Sequence, residues 1–222
     1  MSEFGLCSRR EADRRIEAGR VTIDGDKALM GQKVLPGQRV FVDGKEILRK
    51  HRTVFLMLNK PPGIVCTSSK DDPDNIIDFI GYPERVYTVG RLDKDSRGLI
   101  LLTNEGETTN RLLKTANFHE KEYRVTVDSP ISDSGLEKLS AGMYLEELEK
   151  QTLPCKVSRI SDNSFSIILT QGLNRQIRRM CAQLGYTVID LFRVRFLTQT
   201  LGDLPEGEWR ELTEEEIKLL SV

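Results

Sequence analysis

Gly90-Arg91-Leu92-Asp93-Lys94-Asp95-Ser96-Arg97-Gly98-Leu99 is a polar loop, bracketed by two glycines, that runs without a break into the apolar stretch Leu99–Thr103. That stretch reads as a strand, so the loop presents its acids at a strand edge, where a rigid sheet can aim them. On residue chemistry alone, Asp93 and Asp95 fit a carboxylate pair, a metal site or a solvated turn.

Outward from this loop the pattern is one of apolar strands broken by turns. Val54–Leu58 reads as a buried strand stopped by Pro61-Pro62-Gly63, and Tyr123–Val127 and Ser166–Thr170 read as further strands. Helices are suggested at Thr108–Leu113, Ser134–Gly142, Arg175–Leu184 and Thr213–Leu220. Strands and helices mixed without regular β-α alternation argue for an α+β fold and against a doubly wound parallel sheet.

Residues 1–47 read as a separate compact unit. Ser8-Arg9-Arg10-Glu11 has capping-box spacing and Gly19 suits the position after a helix end, which predicts a helix near 9–18. Ala12 and Ile16 would turn inward, while Arg10 and Arg14 share an outer face. Val21 and Ile23 alternate up to Asp24-Gly25, and Val40 and Val42 up to Asp43-Gly44, two hairpin signals. A short basic helix followed by small strands suits docking on a polyanion; the same residues also fit an appendage with solvated arginines. Residues 48–53 then form a polar, basic linker in which His51 is given no role, and 54–222 form the larger unit.

Charge supports that division. The net charge is −1, yet residues 1–52 carry 12 Lys/Arg against 8 Asp/Glu. Arg175, Arg178, Arg179, Arg193 and Arg195 face only Asp190 within 175–195, whereas 203–217 holds seven acids and one Arg. Basic surface set apart from an acidic C-terminal helix is expected of a protein with one face toward a polyanion, although ordinary surface patchiness gives the same pattern. At 222 residues with 38% hydrophobic and 30% charged residues, the chain reads as soluble and globular. It has no leader-like N-terminus and no apolar run of membrane-spanning length. Cys7, Cys66, Cys155 and Cys181 lie far apart without a C-x-x-C pair, so reduced thiols in a cytoplasm are expected in place of disulfides or zinc.

Several segments, in order and register, resemble the signatures of RNA pseudouridine synthases. Gly90–Leu99 resembles the catalytic loop, in which the acid after Arg-Leu is the nucleophile. Lys60-Pro61-Pro62-Gly63 resembles the lysine-proline turn ahead of it, and Lys121-Glu122-Tyr123-Arg124-Val125 the strand that carries the active-site tyrosine. Gly172-Leu173-Asn174-Arg175-Gln176-Ile177-Arg178-Arg179-Met180 resembles the basic motif that pairs with the catalytic aspartate. Cys7–Ala12 and Gly19–Gly25 are similar to the small αL-type RNA-binding domain found ahead of such catalytic domains. The resemblance covers nearly the whole chain and points to the branch of small-subunit-A and large-subunit-B, E and F enzymes, within it to the F type. Relatives open with one more helical turn than Met1-Ser2-Glu3-Phe4-Gly5 provides, so a shortened start is expected.

The resemblance implies a central mixed, mainly antiparallel sheet with an active-site cleft, and isomerisation of a uridine to pseudouridine in large-subunit ribosomal RNA, with tRNA as a second substrate. It further implies a cytoplasmic monomer that needs neither cofactor nor metal, since the reaction is neither redox nor net hydrolysis. By the same resemblance Asp93 is the nucleophile, Arg178 its counter-charge, and Tyr123 the residue that stacks on the extruded base. Arg91 fills the gap left in the RNA or binds phosphate, and Arg10, Arg14, Arg175 and Arg179 contact phosphates. Two rivals have less support. A non-catalytic ribosome-assembly factor would not need these segments together, and a two-carboxylate glycosidase would not place its acids two residues apart in one loop.

Overall fold

The computed structural model describes residues 1, 4, 6–48, 52–106, 109, 112 and 120–220. Near the N-terminus, α1 (Arg9–Glu17) starts where the Ser8 hydroxyl accepts the Glu11 backbone N–H at 3.1 Å. The reciprocal half of the capping box is replaced: the Glu11 carboxylate turns forward to Arg15 (3.0 Å) and Arg14 (3.6 Å). Gly19, at φ +67°, lets the chain leave the helix. Both Asp-Gly pairs make hairpin turns, with Asp24 at φ 51° and Asp43 at φ 50°. They join β1 (Val21–Ile23) to β2 (Asp26–Lys27) and β3 (Val40–Val42) to β4 (Lys45–Glu46) in a sheet of order β2-β1-β3-β4. Val21, Ile23, Ala28 and Val42 form its small core.

The larger unit is built on one nine-stranded sheet. Its path runs β11 (Lys156–Ser161), β12 (Ser164–Leu169), β8 (Lys121–Val127), β13 (Val188–Phe196), β7 (Arg97–Thr103), β5 (Phe55–Lys60) and β15 (Trp209–Glu211). Two short strands attach at the side, β6 (Tyr87–Val89) to β7 and β14 (Gln199–Thr200) to β13. A separate hairpin pairs β9 (Tyr144–Leu145) with β10 (Lys150–Gln151). Among the described strands every pairing is antiparallel except β7 with β13, through Arg97↔Phe192 and Gly98↔Arg193. The sheet is therefore mixed and mainly antiparallel, in an α+β fold. The helices are α2 (Ile76–Ile80), α3 (Asp133–Ala141), α4 (Gln176–Gln183) and α5 (Glu214–Leu220). The helix expected over Thr108–Leu113 falls mostly outside the described residues, as does half of the expected linker, including His51. No helix among the described residues is long and apolar enough to cross a membrane.

Packing explains the strand composition. All six residues of β5 are buried, and so are Gly98–Thr103 of β7, because apolar layers cover both faces of these central strands. One layer contains Phe55, Met57, Leu99, Leu101 and Phe196; the other contains Leu56, Leu58, Ile100, Leu102 and Ile76. The parallel junction needs a glycine. At Gly98 (φ +105°) an added Cβ would meet the Arg193 carbonyl oxygen at 2.3 Å and its nitrogen at 2.8 Å.

Part of the acidic C-terminal segment is paired within the protein. Glu216 is held by Arg210 at 2.7 Å, Glu211 pairs with Arg52, and Glu206 reaches Arg97 at 3.4 Å. Hydrogen bonds from Arg210 are the main reason the Glu216 carboxyl falls from its ordinary 4.5 to about 2. Since the folded value is depressed, this pair contributes stability above about pH 4.5 and loses it as pH falls toward 2. The melting temperature of Glu216→Gln should therefore lie below that of the unchanged protein at neutral pH, with the gap closing between pH 4.5 and 2. A gap that stays constant through this window would exclude the pair as an acid-sensitive contact.

Candidate active site

The loop that precedes β7 is held at points on either side of Asp93. Leu92 is buried in the apolar layer beside Ile76 and Ile100, and its N–H donates to the Cys66 sulfur at 3.4 Å. On the other side, the Lys94 carbonyl accepts the Gly63 N–H at 2.8 Å and the fully buried Lys60 ammonium at 3.3 Å. The Ser96 N–H closes the turn onto the Asp93 carbonyl at 3.1 Å. The Lys-Pro-Pro-Gly turn thus fixes the backbone around Asp93, while its carboxylate stays one-third exposed. Burial pulls the Lys60 ammonium below its usual range, partly offset by the nearby Cys66, Asp95 and Asp93.

Asp93 opens into a cavity of about 560 Å³, a volume suited to a nucleoside-sized ligand. Its walls are the loop Gly90–Lys94, Lys121 and Tyr123 of β8, Gly172–Ile177 at the start of α4, and Arg193 of β13. Tyr123 is half-buried and packs against the layer of Leu58 and Ile100 and against a further apolar cluster that includes Val125, Ile167 and Met180. Arg193 is its register partner across β8 and β13, so both side chains project from one face of the sheet.

The structure places two arginines differently from the expectation. Arg178 does not pair with Asp93. Its guanidinium donates to the Asp95 carbonyl (3.1 Å), the Ser96 hydroxyl (3.3 Å) and the Val188 carbonyl (3.0 Å), and reaches the Asp95 carboxylate at 3.4 Å. It clamps loop to strand. Arg175 is the cation nearest Asp93, at 3.7 Å, and it grips the Asp95 carboxylate with two bonds of 3.2 Å. Although burial alone would raise the Asp95 carboxyl, the Arg175 hydrogen bonds and the Arg178 charge hold it below the usual range. The difference has a backbone cause. Arg175 is the N-cap of α4 in the left-handed region (φ 49°, ψ 33°), so its side chain leaves the helix direction toward the loop. Helical spacing from Arg178 cannot place a residue that is not helical.

Other expected site residues separate by environment. Arg91 is exposed and lines the cavity. Arg179 pairs with Glu147 and donates to the Asn174 carbonyl at 3.1 Å. Arg10 and Arg14 stand exposed on α1, remote in sequence from these loops. The basic stretch 175–195 is likewise no single surface: Arg195 pairs with Glu120 and Glu122, and Arg193 is buried. The inward turn of Arg193 had a signal in the sequence, since it lies two residues after the buried Leu191 on one strand.

Comparison with known proteins agrees with this geometry. Residues 54–183 match the RNA pseudouridylate synthase family, and residues 1–40 match the S4 domain. The chain is similar, at 48% identity over 98% of its length and 75% of the relative's, to the dual-specificity RNA pseudouridine synthase RluF of Escherichia coli (strain K12). It is 37% identical to ribosomal small subunit pseudouridine synthase A of the same strain, over 95% of this chain and 93% of that one. A solved structure described as a pseudouridylate synthase superposes with a TM-score of 0.72 at 30% identity, covering 99% of this chain and 96% of that chain.

Proposed function

The chain belongs to the RNA pseudouridylate synthase family and isomerises uridine in RNA; from that premise we propose that it acts on a uridine of large-subunit (23S) ribosomal RNA, with a tRNA uridine as second substrate. We further propose a cytoplasmic monomer in which 1–47 docks on RNA, 48–53 link, and 54–222 carry out the chemistry. The observation that carries the site assignment is the carboxylate of Asp93. It opens into a nucleoside-sized cavity across from Tyr123, with its backbone fixed on either side.

The reaction breaks the N1–C1′ bond, turns the uracil, joins C5 to C1′, and exchanges the C5 proton for one on N1. The target must leave the RNA stack to reach Asp93, and Tyr123 offers its ring as the stacking surface. Arg175 supplies fixed positive charge next to the nucleophile. Arg91 at the rim meets the neighbouring backbone. The test is pseudouridine mapping of ribosomal and transfer RNA from a strain lacking the gene, with and without complementation. Loss of a 23S site, restored by the unchanged gene but not by Asp93→Asn, is expected. An unaltered pseudouridine map would overturn the assignment.

Docking by α1 makes its own prediction. Arg10→Glu with Arg14→Glu should raise the RNA concentration for half-maximal rate about tenfold while leaving saturated turnover nearly intact, because remote docking is uniform binding. The slope of log affinity against log salt should fall by about two. Unchanged affinity and slope would make 1–47 an appendage.

A further inference from the structure

Arg193 is 2% exposed, at the floor of the cavity that holds Asp93. Its Nε donates to the Leu99 carbonyl at 2.7 Å and its guanidinium lies 4.6 Å from the centre of the Phe196 ring. Its Nη2 is buried without a hydrogen-bond partner, and among the described residues no carboxylate is in ion-pair contact with it. A buried guanidinium nitrogen left in that state is unfavourable unless an acceptor arrives. The close packing of Gly98 on the Arg193 backbone ties it to the strand that follows the catalytic loop, so its position relative to Asp93 is fixed.

Depth indicates which acceptor fits. Arg91, Lys94, Asn174 and Arg175 are exposed at the mouth, Asp93 and Tyr123 are intermediate, and Arg193 is buried. A phosphodiester stays with the RNA chain at the mouth, so the extruded base enters deepest. With its N1–C1′ bond at Asp93, the ring presents its far corner inward, and the atom across the ring from N1 is C4, which carries O4. After the uracil turns so that C5 faces C1′, the atom across from C5 is C2, which carries O2. Uracil therefore presents a carbonyl oxygen to the same place before and after the turn.

We propose that Arg193 is a specificity-determining residue that donates to uracil O4 in the substrate and to O2 once the ring has turned. Cytosine would set its amino group, a donor, against a guanidinium that can only donate, and would be rejected. This inference rests on the isomerase reading above.

The test uses the full-length enzyme and an RNA fragment carrying the mapped uridine, or 4-thiouridine, 2-thiouridine or cytidine in its place. Sulfur is the weaker acceptor, so each thio analogue should lower the kcat/KM of the unchanged enzyme about tenfold, and cytidine should not be turned over. Arg193→Met should lose roughly a hundredfold on uridine and then respond less than about twofold to either thio substitution, while Arg193→Lys restores part of the rate. Three outcomes overturn the proposal. The unchanged enzyme could be indifferent to 4-thiouridine. Arg193→Met could be as sensitive to it as the unchanged enzyme. Or the variant could lose about one unit of salt slope with thio sensitivity intact, which would make Arg193 a phosphate contact. Should Arg193→Met fail to fold, the analogue series on the unchanged enzyme and on Arg193→Lys decides. Failure of the unchanged enzyme on uridine itself would instead strike the isomerase reading.

Discussion

Asp93→Asn should fold, melt within about 1 °C of the unchanged protein, bind RNA, and isomerise at least about four orders of magnitude more slowly. The stability half follows from what holds the loop. Leu92, the Lys94 carbonyl and the Ser96 N–H carry its anchoring contacts, and none of these uses the Asp93 side chain. The carboxylate is one-third exposed and its ion pair with Arg175 is 3.7 Å long, so little stability is at stake. The activity half follows from the proposed role of Asp93: an amide of the same shape cannot act as a carboxylate nucleophile, and the other carboxylate of this loop is engaged elsewhere. That carboxylate, Asp95, has both oxygens engaged by Arg175. Release of tritium from C5 of uridine-labelled RNA reads turnover, and thermal melting reads the fold. Residual turnover above about 1% by a well-folded Asp93→Asn would remove the nucleophile from this position. Asp95→Asn is the control and should fall by no more than about tenfold, through looser hold on Arg175.

What could be read beforehand was the part of the molecule governed by local rules. Ser8, Gly19 and the two Asp-Gly pairs act through their own backbone preferences, and the structure places a cap, a helix exit and two hairpins where they predict. The continuous apolar runs of β5 and β7 mark strands covered on both faces. The two-residue strands β9, β10 and β14 carry no such run and were invisible. The site was legible as a set of segments but not as a set of pairs. Asp93, Tyr123, Arg91 and Arg175 do come to one cavity, yet which arginine meets which acid depends on a single left-handed residue at the start of α4. Charge patterning failed for a related reason: it counts residues, whereas burial and pairing decide their fate. Arg193 goes into the cavity floor, and three of the seven acids of 203–217, Glu206, Glu211 and Glu216, are taken up by Arg97, Arg52 and Arg210.

The placement of Arg175 and Arg178 leads to the second large effect. Arg175→Ala removes the cation nearest Asp93 and releases Asp95, but takes away little that holds the fold, since the side chain is 41% exposed and its partners lie in one loop. It should lower turnover by two to three orders of magnitude, the scale of losing one fixed charge beside developing charge, with RNA affinity changing less than about threefold and the melting temperature nearly unmoved. Arg175→Lys should recover part of the rate, because a point charge replaces the two-pronged grip but not its geometry. Arg178→Ala should behave differently. That guanidinium is 12% exposed and ties the Asp95 carbonyl and the Ser96 hydroxyl to the Val188 carbonyl on β13. Its loss leaves acceptors unpaired at the base of the catalytic loop, at a cost of about 2–3 kcal/mol that should appear as a lower melting temperature together with lost activity. Turnover against RNA concentration and thermal melts of the three variants separate the roles. If Arg175→Ala stays within about threefold of the unchanged enzyme, while Arg178→Ala loses activity without losing stability, then Arg178 serves Asp93 in the working complex. The contact at 3.7 Å would in that case not be the one that serves the reaction.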